Sequence, residues 1–191
     1  MTVETGPVTA GHLAEYAQVP IVFRVTSMFV AHWDPQAASF TLEERFVASP
    51  YIKDYDAISE RPVEWSHRFD TSQWQLVLAR NDDQCIGAAA IVMATPGVDL
   101  LEGRADLALL WDIRVAPEHR GHGVGRRIFA EAEALARAAH CIELKVETQN
   151  INVTACRFYA AMGFTLRTVR EHAYTVSPSE VQYLWHKALR A

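Results

Sequence analysis

The firmest pattern of apolar and polar positions lies in the second half of the chain. Residues 105–115, ADLALLWDIRV, form a long apolar run that stops at Ala116-Pro117, which predicts a buried central strand. From Val124 the apolar residues Val124, Ile128, Ala132, Leu135, Ala136 and Ala139 recur at helical spacing. Arg126, Arg127, Glu131, Glu133 and Arg137 take the other faces, so this segment predicts a helix packed on a sheet. Residues 142–148 then predict a strand, residues 152–162 a second helix closed by Gly163, and residues 181–188 a last strand.

Upstream, residues 74–79 run into a polar Asn81-Asp82-Asp83 turn, and residues 85–93 follow as the hairpin partner. Residues 21–25 predict a strand. Residues 42–48, with Glu43, Glu44 and Arg45, predict a short amphipathic helix stopped by Ser49-Pro50. An antiparallel start followed by strand, helix, strand, helix, strand is an α/β arrangement. No stretch has linker composition and no segment repeats, so residues 1–191 are expected to form a single domain.

Composition removes several function classes. Half of the 191 residues are hydrophobic, which excludes a disordered segment, and no run approaches the about 18 apolar residues of a membrane span. The amino terminus has no basic segment followed by an apolar one, so a cytoplasmic protein with no membrane partner is expected. With 18 Lys and Arg against 23 Asp and Glu, the net charge of −5 weighs against nucleic acid as the main partner. The three cysteines, Cys85, Cys141 and Cys156, are scattered and read as small buried residues rather than a disulfide framework or zinc site.

Against that acidic background one segment is basic. Arg120-Gly121-His122-Gly123-Val124-Gly125 lies where the central strand gives way to the helix, with Arg114, Arg126 and Arg127 flanking it. Free N–H groups and the positive end of a helix face an anion there, and glycines permit close approach, so a polyphosphate ligand is expected. A P-loop would end in Gly-Lys-Ser/Thr, and a dinucleotide fingerprint would read G-x-G-x-x-G. This turn is neither. His119 and His122 have no further His, Cys or carboxylate at ligand spacing, so no metal is expected.

R-x-x-G-x-G after a strand ending in Ile-x-Val resembles the acetyl-CoA signature of the GNAT superfamily of N-acetyltransferases. Residues 152–164, NVTACRFYAAMGF, are similar to the family's second signature, N-x-x-A-x-x-F-Y-x-x-x-G-F. Within the superfamily the chain resembles streptothricin acetyltransferases in residues 147–152, in Ala155-Cys156-Arg157-Phe158-Tyr159 and in residues 49–55. It departs from them at Trp111, where an acidic residue is expected before Asp112, and in an acidic stretch thinned to Asp54, Asp56, Glu60 and Glu64.

The resemblance implies a GNAT fold, classed α/β (α+β), with a mixed, mostly antiparallel sheet, a splayed central parallel strand pair and flanking helices. It implies acetyl-CoA as cosubstrate, its pantetheine arm pairing with main-chain groups of Ile113 and Val115 beside Arg114. The amides of Gly121, His122, Gly123, Val124 and Gly125, with Arg120 and Arg126, would hold the pyrophosphate, and Asn152 belongs to the second motif of the same site. Tyr159 would be the general acid for the departing thiolate, because a phenol of ordinary pKa about 10 can donate to it. Glu147 is the candidate base, acting through water, and Asp112 the rival. Strand alternation sets Asp112 on the face opposite Trp111, Ile113 and Val115. Trp111, Asp112, Tyr51, Tyr55, Tyr174 and Glu180 are the candidates for an acceptor pocket suited to a cationic amine.

The expected activity is therefore acetyl transfer to a primary amine of a small cationic antibiotic or metabolite, by direct attack in a ternary complex. Two alternatives stay open: a protein or peptide N-terminal acetyltransferase, and a CoA-binding regulatory module without turnover. Many relatives dimerise, which leaves a homodimer open.

Overall fold

The structure is a computed structural model and describes residues 1–189. In chain order the elements are β1 (Thr2–Pro7), α1 (Ala10–Tyr16), β2 (Phe23–Asp34), β3 (Ser39–Lys53), α2 (Trp65–Arg68), β4 (Gln75–Asn81), β5 (Gln84–Met93), β6 (Leu107–Val115), α3 (Val124–Ala138), β7 (Glu143–Gln149), α4 (Val153–Ala161), β8 (Thr165–Arg170) and β9 (Gln182–Ala188). They divide into two compact units. Met1–Val22 and Tyr55–Leu144, with Leu189, make the first, and Phe23–Asp54 and Lys145–Ala188 the second.

In the first unit the strands lie in the order β1-β4-β5-β6, each pair antiparallel. The β4–β5 hairpin forms where the sequence predicts it, and Asp82 takes the left-handed turn position at φ 51° that Asp tolerates. Alternate residues of the three long strands, Leu76, Leu78, Ala88, Ala90, Val92, Leu107 and Leu109, pack with Leu13, Tyr16, Trp65 and Trp74 into one apolar core. Complete burial of each Leu or Val side chain contributes about 1.5–3 kcal/mol.

The predicted long helix is α3, which buries Ile128, Phe129, Ala132 and Ala136. Gly87 on β5 lets it come close, since a Cβ there would meet Ile128 Cδ1 at 2.7 Å. Just ahead of β7, the Ile142 N–H donates to the Asp106 carbonyl at 2.8 Å, just ahead of β6. The two strands thus start side by side, and with α3 as the crossover between them they run parallel. Arg104 ties the same ends together, reaching Asp106 at 2.8 Å and Glu143 at 2.6 Å. The mixed, mostly antiparallel sheet with one parallel pair is the fold class expected from the sequence.

The second unit holds β7, β9 and β8 in that order, together with the two-stranded ribbon β2–β3. Asn150 joins these parts. Its backbone carbonyl accepts from Phe29 N–H at 2.9 Å, its Nδ2 donates to the Phe29 carbonyl at 3.2 Å, and its Oδ1 accepts from Val181 N–H at 3.0 Å. The predicted helix of residues 152–162 is α4. Asn152 caps it, accepting from Ala155 N–H at 3.1 Å, and Gly163 ends it at φ 85°.

One prediction is corrected. Residues 42–48 are strand, part of β3, and not a helix. The β2–β3 pairing runs from Phe23 opposite Lys53 to Asp34 opposite Ser39, and the ladder outweighs an amphipathic spacing that buries little: among its apolar members Phe46 is exposed and Leu42 and Val47 are only half-buried. Pro50, which read as a helix stop, sits in the irregular stretch where the register shifts between Val25 and Ser27, and there its missing N–H interrupts no regular pairing. The strands β1 and β8 and the helices α1 and α2 had no counterpart in the sequence reading.

Candidate active site

At the C-terminal end of β6 the chain makes a short turn at Pro117–His119 and enters α3 through Arg120-Gly121-His122-Gly123. Gly121 and Gly123 adopt φ 78° and 84°, a region costly for residues with a Cβ, and nothing lies within 4 Å of where a Cβ would stand. The helix N-cap, Gly123, offers no side chain to the first-turn N–H groups, and no acidic residue occupies that turn. Arg126 and Arg127 stand there instead, both exposed, where the macrodipole disfavours cations. An uncapped helix start ringed by arginines is an arrangement that an anion would complete. Arg120 folds back onto the strand, its Nε donating to the Val115 carbonyl at 2.8 Å.

Arg114 does not join that ring. Its side chain is 2% exposed, reaching Asp112 at 2.7 Å, Asp56 at 3.0 Å and the Val19 carbonyl at 3.1 Å. Burial works against its charge, but Asp112, Tyr16 and Asp56 outweigh that, and the guanidinium is held ionised above its ordinary value. Its side chain is committed inside the first unit, so the phosphate role weighed for it is dropped.

Asp112 is also committed. It accepts from the Tyr16 hydroxyl at 2.8 Å and from Arg114 Nε and Nη2 at 3.1 and 2.7 Å. Tyr16 is held well above 10 by burial first and by Asp112 next. The expectation from alternation fails here for a visible reason. The β5–β6 register shifts, Ala90 lying opposite Asp112 but Ile91 opposite Leu110, so Trp111 is the extra residue of a bulge. Trp111 packs on Phe69 and Trp74 at 5.3 Å and on Trp65 at 6.5 Å, and Asp112 reaches Tyr16, a member of the same cluster. Both residues serve the first unit's core. Ile113 and Val115 stand opposite Ala89 and Gly87, and Tyr55 caps a short turn whose Ile58 and Ser59 N–H groups donate to its carbonyl at 3.1 and 2.9 Å.

The second unit brings two of the predicted residues, Tyr174 and Glu180, to the candidate base. Glu147, on β7, is partly buried and accepts from the Tyr174 hydroxyl. Loss of water pushes its carboxyl up to about 7, with Tyr174 pulling it down and Glu180 pushing it further up. Glu180 is buried and pairs with Lys53 Nζ at 2.5 Å, which also donates to Ser177 Oγ at 3.1 Å. Tyr51, exposed on β3, has its phenol raised above 10 by partial desolvation and by Glu180. A carboxyl that titrates near neutrality is suited to taking a proton from an ammonium or its water at physiological pH.

Lys53 and Ser177 were not foreseen. Lys53 stands 127 positions from its carboxylate partner, and no local pattern marks such a pair. Tyr159 lies on α4, 5% exposed, its ring 5.6 Å from Phe158 and 5.7 Å from Phe164. All three cysteines are buried, and burial pushes Cys156 up to about 12, far from a reactive thiolate. No group of three His, Cys, Asp or Glu side chains that could hold a metal occurs among the described residues.

The family model described as the Acetyltransferase (GNAT) family matches residues 39–164, a span that draws on both units. The chain is 32% identical over 146 residues to streptothricin acetyltransferase A of Bacillus subtilis (strain 168), covering 75% of this chain and 76% of that protein. It is 32% identical over 167 residues to a streptothricin acetyltransferase of Escherichia coli, covering 86% and 84%. A solved structure from Bacillus anthracis, in complex with acetyl coenzyme A, matches it with a TM-score of 0.78 over 98% of this chain and 99% of that one at 20% identity, a likeness of fold.

Proposed function

Because the chain belongs to the acetyltransferase (GNAT) family, we propose that it moves the acetyl group of acetyl-CoA onto a primary amine of a small cationic molecule of the streptothricin type. The observation that carries the acceptor class is the pair of relatives named as streptothricin acetyltransferases, matched across 75% and 86% of the chain. A base already tuned to about 7 supports the reaction type.

The reading assigns each unit a task. In the first, the amides of Gly121, His122, Gly123, Val124 and Gly125, with Arg120 and Arg126, take the pyrophosphate, while main-chain groups of Ile113 and Val115 pair with the pantetheine arm. In the second, Glu147 accepts the ammonium proton through water and leaves a neutral amine. The amine nitrogen attacks the thioester carbonyl in the ternary complex, a C–N bond forms, and the C–S bond breaks. Tyr159 gives its proton to the departing thiolate, the new amide nitrogen gives up its remaining extra proton, which restores the Tyr159 phenol by way of water, and Glu147 returns its proton to solvent, so the products are the acetylated amine and CoA thiol. Tyr51 and Tyr174 offer aromatic faces to a cationic acceptor.

Release of CoA thiol by the purified protein, followed across streptothricin, aminoglycosides, polyamines, free lysine and short peptides, tests this. Acceptor-dependent release with streptothricin is expected. Release with peptides alone would overturn the acceptor class in favour of protein amino termini, and silence with acetyl-CoA still bound would overturn turnover itself.

A further inference from the structure

The segment between β8 and β9, residues 171–181, has no regular structure, and seven of its members, Glu171, His172, Ala173, Thr175, Val176, Pro178 and Ser179, are exposed. Its inward residues come at steps of three: Tyr174, Ser177 and Glu180. Tyr174 donates to Glu147, while Ser177 and Glu180 both meet Lys53 at the end of β3. Beyond one turn, in which the Glu180 N–H donates to the Ser177 carbonyl at 2.9 Å, a loop of this kind has little geometry of its own, and holding it in one arrangement needs tethers that offset its conformational entropy.

The tether at Lys53 is unusual in being dry. The two side chains of the Lys53–Glu180 pair are 10% and 9% exposed. Burying such a pair contributes little net stability, because desolvation cancels most of the attraction; what it contributes is a fixed location. The residue whose location is fixed, three and six positions back along the loop, is the one that touches Glu147.

We propose that Lys53 is a positioning residue for acetyl transfer: by clamping Ser177 and Glu180 it holds the loop so that the Tyr174 hydroxyl stays on Glu147. The proposal rests on the reading of Glu147 as base. Tyr174 and Glu180 from the loop act on that carboxylate, Lys53 and Tyr51 from β3 act on Glu180, and buried Lys145 lies two positions earlier on β7. Pairing with Lys53 blunts the push that Glu180 gives the Glu147 carboxyl without abolishing it.

The test compares pH profiles of kcat/KM for the wild type, Tyr174→Phe, the neutral pair Lys53→Met/Glu180→Gln, and the triple variant. Tyr174→Phe removes a donor that favours the carboxylate, so the acid limb moves up by roughly half a pH unit to one unit. Because Glu180→Gln also removes an upward push on Glu147, the neutral pair is expected to move it by less than that amount, Tyr174→Phe to add nothing further in the triple variant, and Lys53→Arg to keep the wild-type limb. Amide hydrogen exchange in residues 171–181 is expected to quicken roughly tenfold or more in the neutral pair. A triple variant that adds the full Tyr174→Phe shift to the neutral pair would overturn the clamp. Should the neutral pair not fold, Glu180→Gln alone is read by the same loop exchange, and unchanged exchange overturns the proposal. If Glu147→Gln keeps the acid limb, the base assignment falls while loop exchange still decides the clamp.

Discussion

Arg114 and Asp112 face each other from alternate positions of β6, Nη2 to Oδ2 at 2.7 Å and Nε to Oδ1 at 3.1 Å. With Asp56 and Tyr16 they close a charged set around a guanidinium that is 2% exposed. That relationship turns inward the two β6 side chains that had plausible work at the surface: an arginine for phosphate and an aspartate for base catalysis.

Arg114→Met should therefore cost about 3–5 kcal/mol, because it leaves the Asp112 and Asp56 carboxylates without their counter-charge. Urea melts would show it as a lower midpoint at unchanged slope. Asp112→Asn is informative in a second way. Where that variant remains folded, its kcat should stay within about threefold of wild type, and a loss of two orders of magnitude would return Asp112 to candidacy as the base.

Tyr159→Phe removes one hydroxyl from a ring that packs between Phe158 and Phe164. Packing survives, so the melting temperature should move little. If the hydroxyl protonates the thiolate, kcat falls by roughly a hundredfold or more while acetyl-CoA affinity holds. An unchanged kcat would take Tyr159 out of the mechanism.

What could be read from the sequence follows the range of the interactions involved. The α3 stripe, the β4–β5 hairpin and the Asn152 and Gly163 ends of α4 depend on residues within a few positions of one another, and each forms where it was expected. The β2–β3 ribbon misleads because its pairing partners lie up to 30 positions apart, as Phe23 and Lys53 do, and its alternation is blurred by exposure on both faces. In the candidate site Glu147, Tyr174 and Glu180 were each named, but their meeting depends on a loop return, and the lysine that pins that return had no local signature. The bulge at Trp111 was illegible for a similar reason: it is set by register against β5, and one inserted residue breaks the alternation on which the facing of Asp112 was judged.

Glu147 links activity to stability with opposite signs. Its carboxyl is raised from an ordinary 4.5 to about 7, chiefly by desolvation, so the folded chain binds a proton there that the unfolded chain has lost. Its contribution is fully present below pH 4.5, declines as pH rises through the window to about 7, and is a constant penalty above it. Over that window the penalty is up to about 3 kcal/mol, from about 1.36 kcal/mol per pH unit. Glu147→Gln should thus melt higher than wild type at pH 8 and no higher at pH 4.5, while losing the acid limb near 7 from kcat/KM. Melting curves that run parallel at both pH values would mean that the carboxyl titrates in its ordinary range.

Arg126 gives a second opposition, this time between the free and the bound protein. It is exposed in the first turn of α3, at the positive end of the macrodipole, with no acidic residue in that turn. Without a ligand, Arg126→Ala should stabilise the fold by roughly 0.3–1 kcal/mol, since a cation at that end is unfavourable and Ala is the better helix former. With acetyl-CoA the sign reverses: a charge-assisted contact to phosphate is lost, about 1.5–3 kcal/mol, and affinity drops by roughly tenfold to a hundredfold. Calorimetric titration with acetyl-CoA and thermal melts of the free protein measure the two halves separately. A variant that binds acetyl-CoA as tightly as wild type would place the phosphates away from this turn, and one that melts lower when free would show that Arg126 has an intramolecular partner that compensates the dipole.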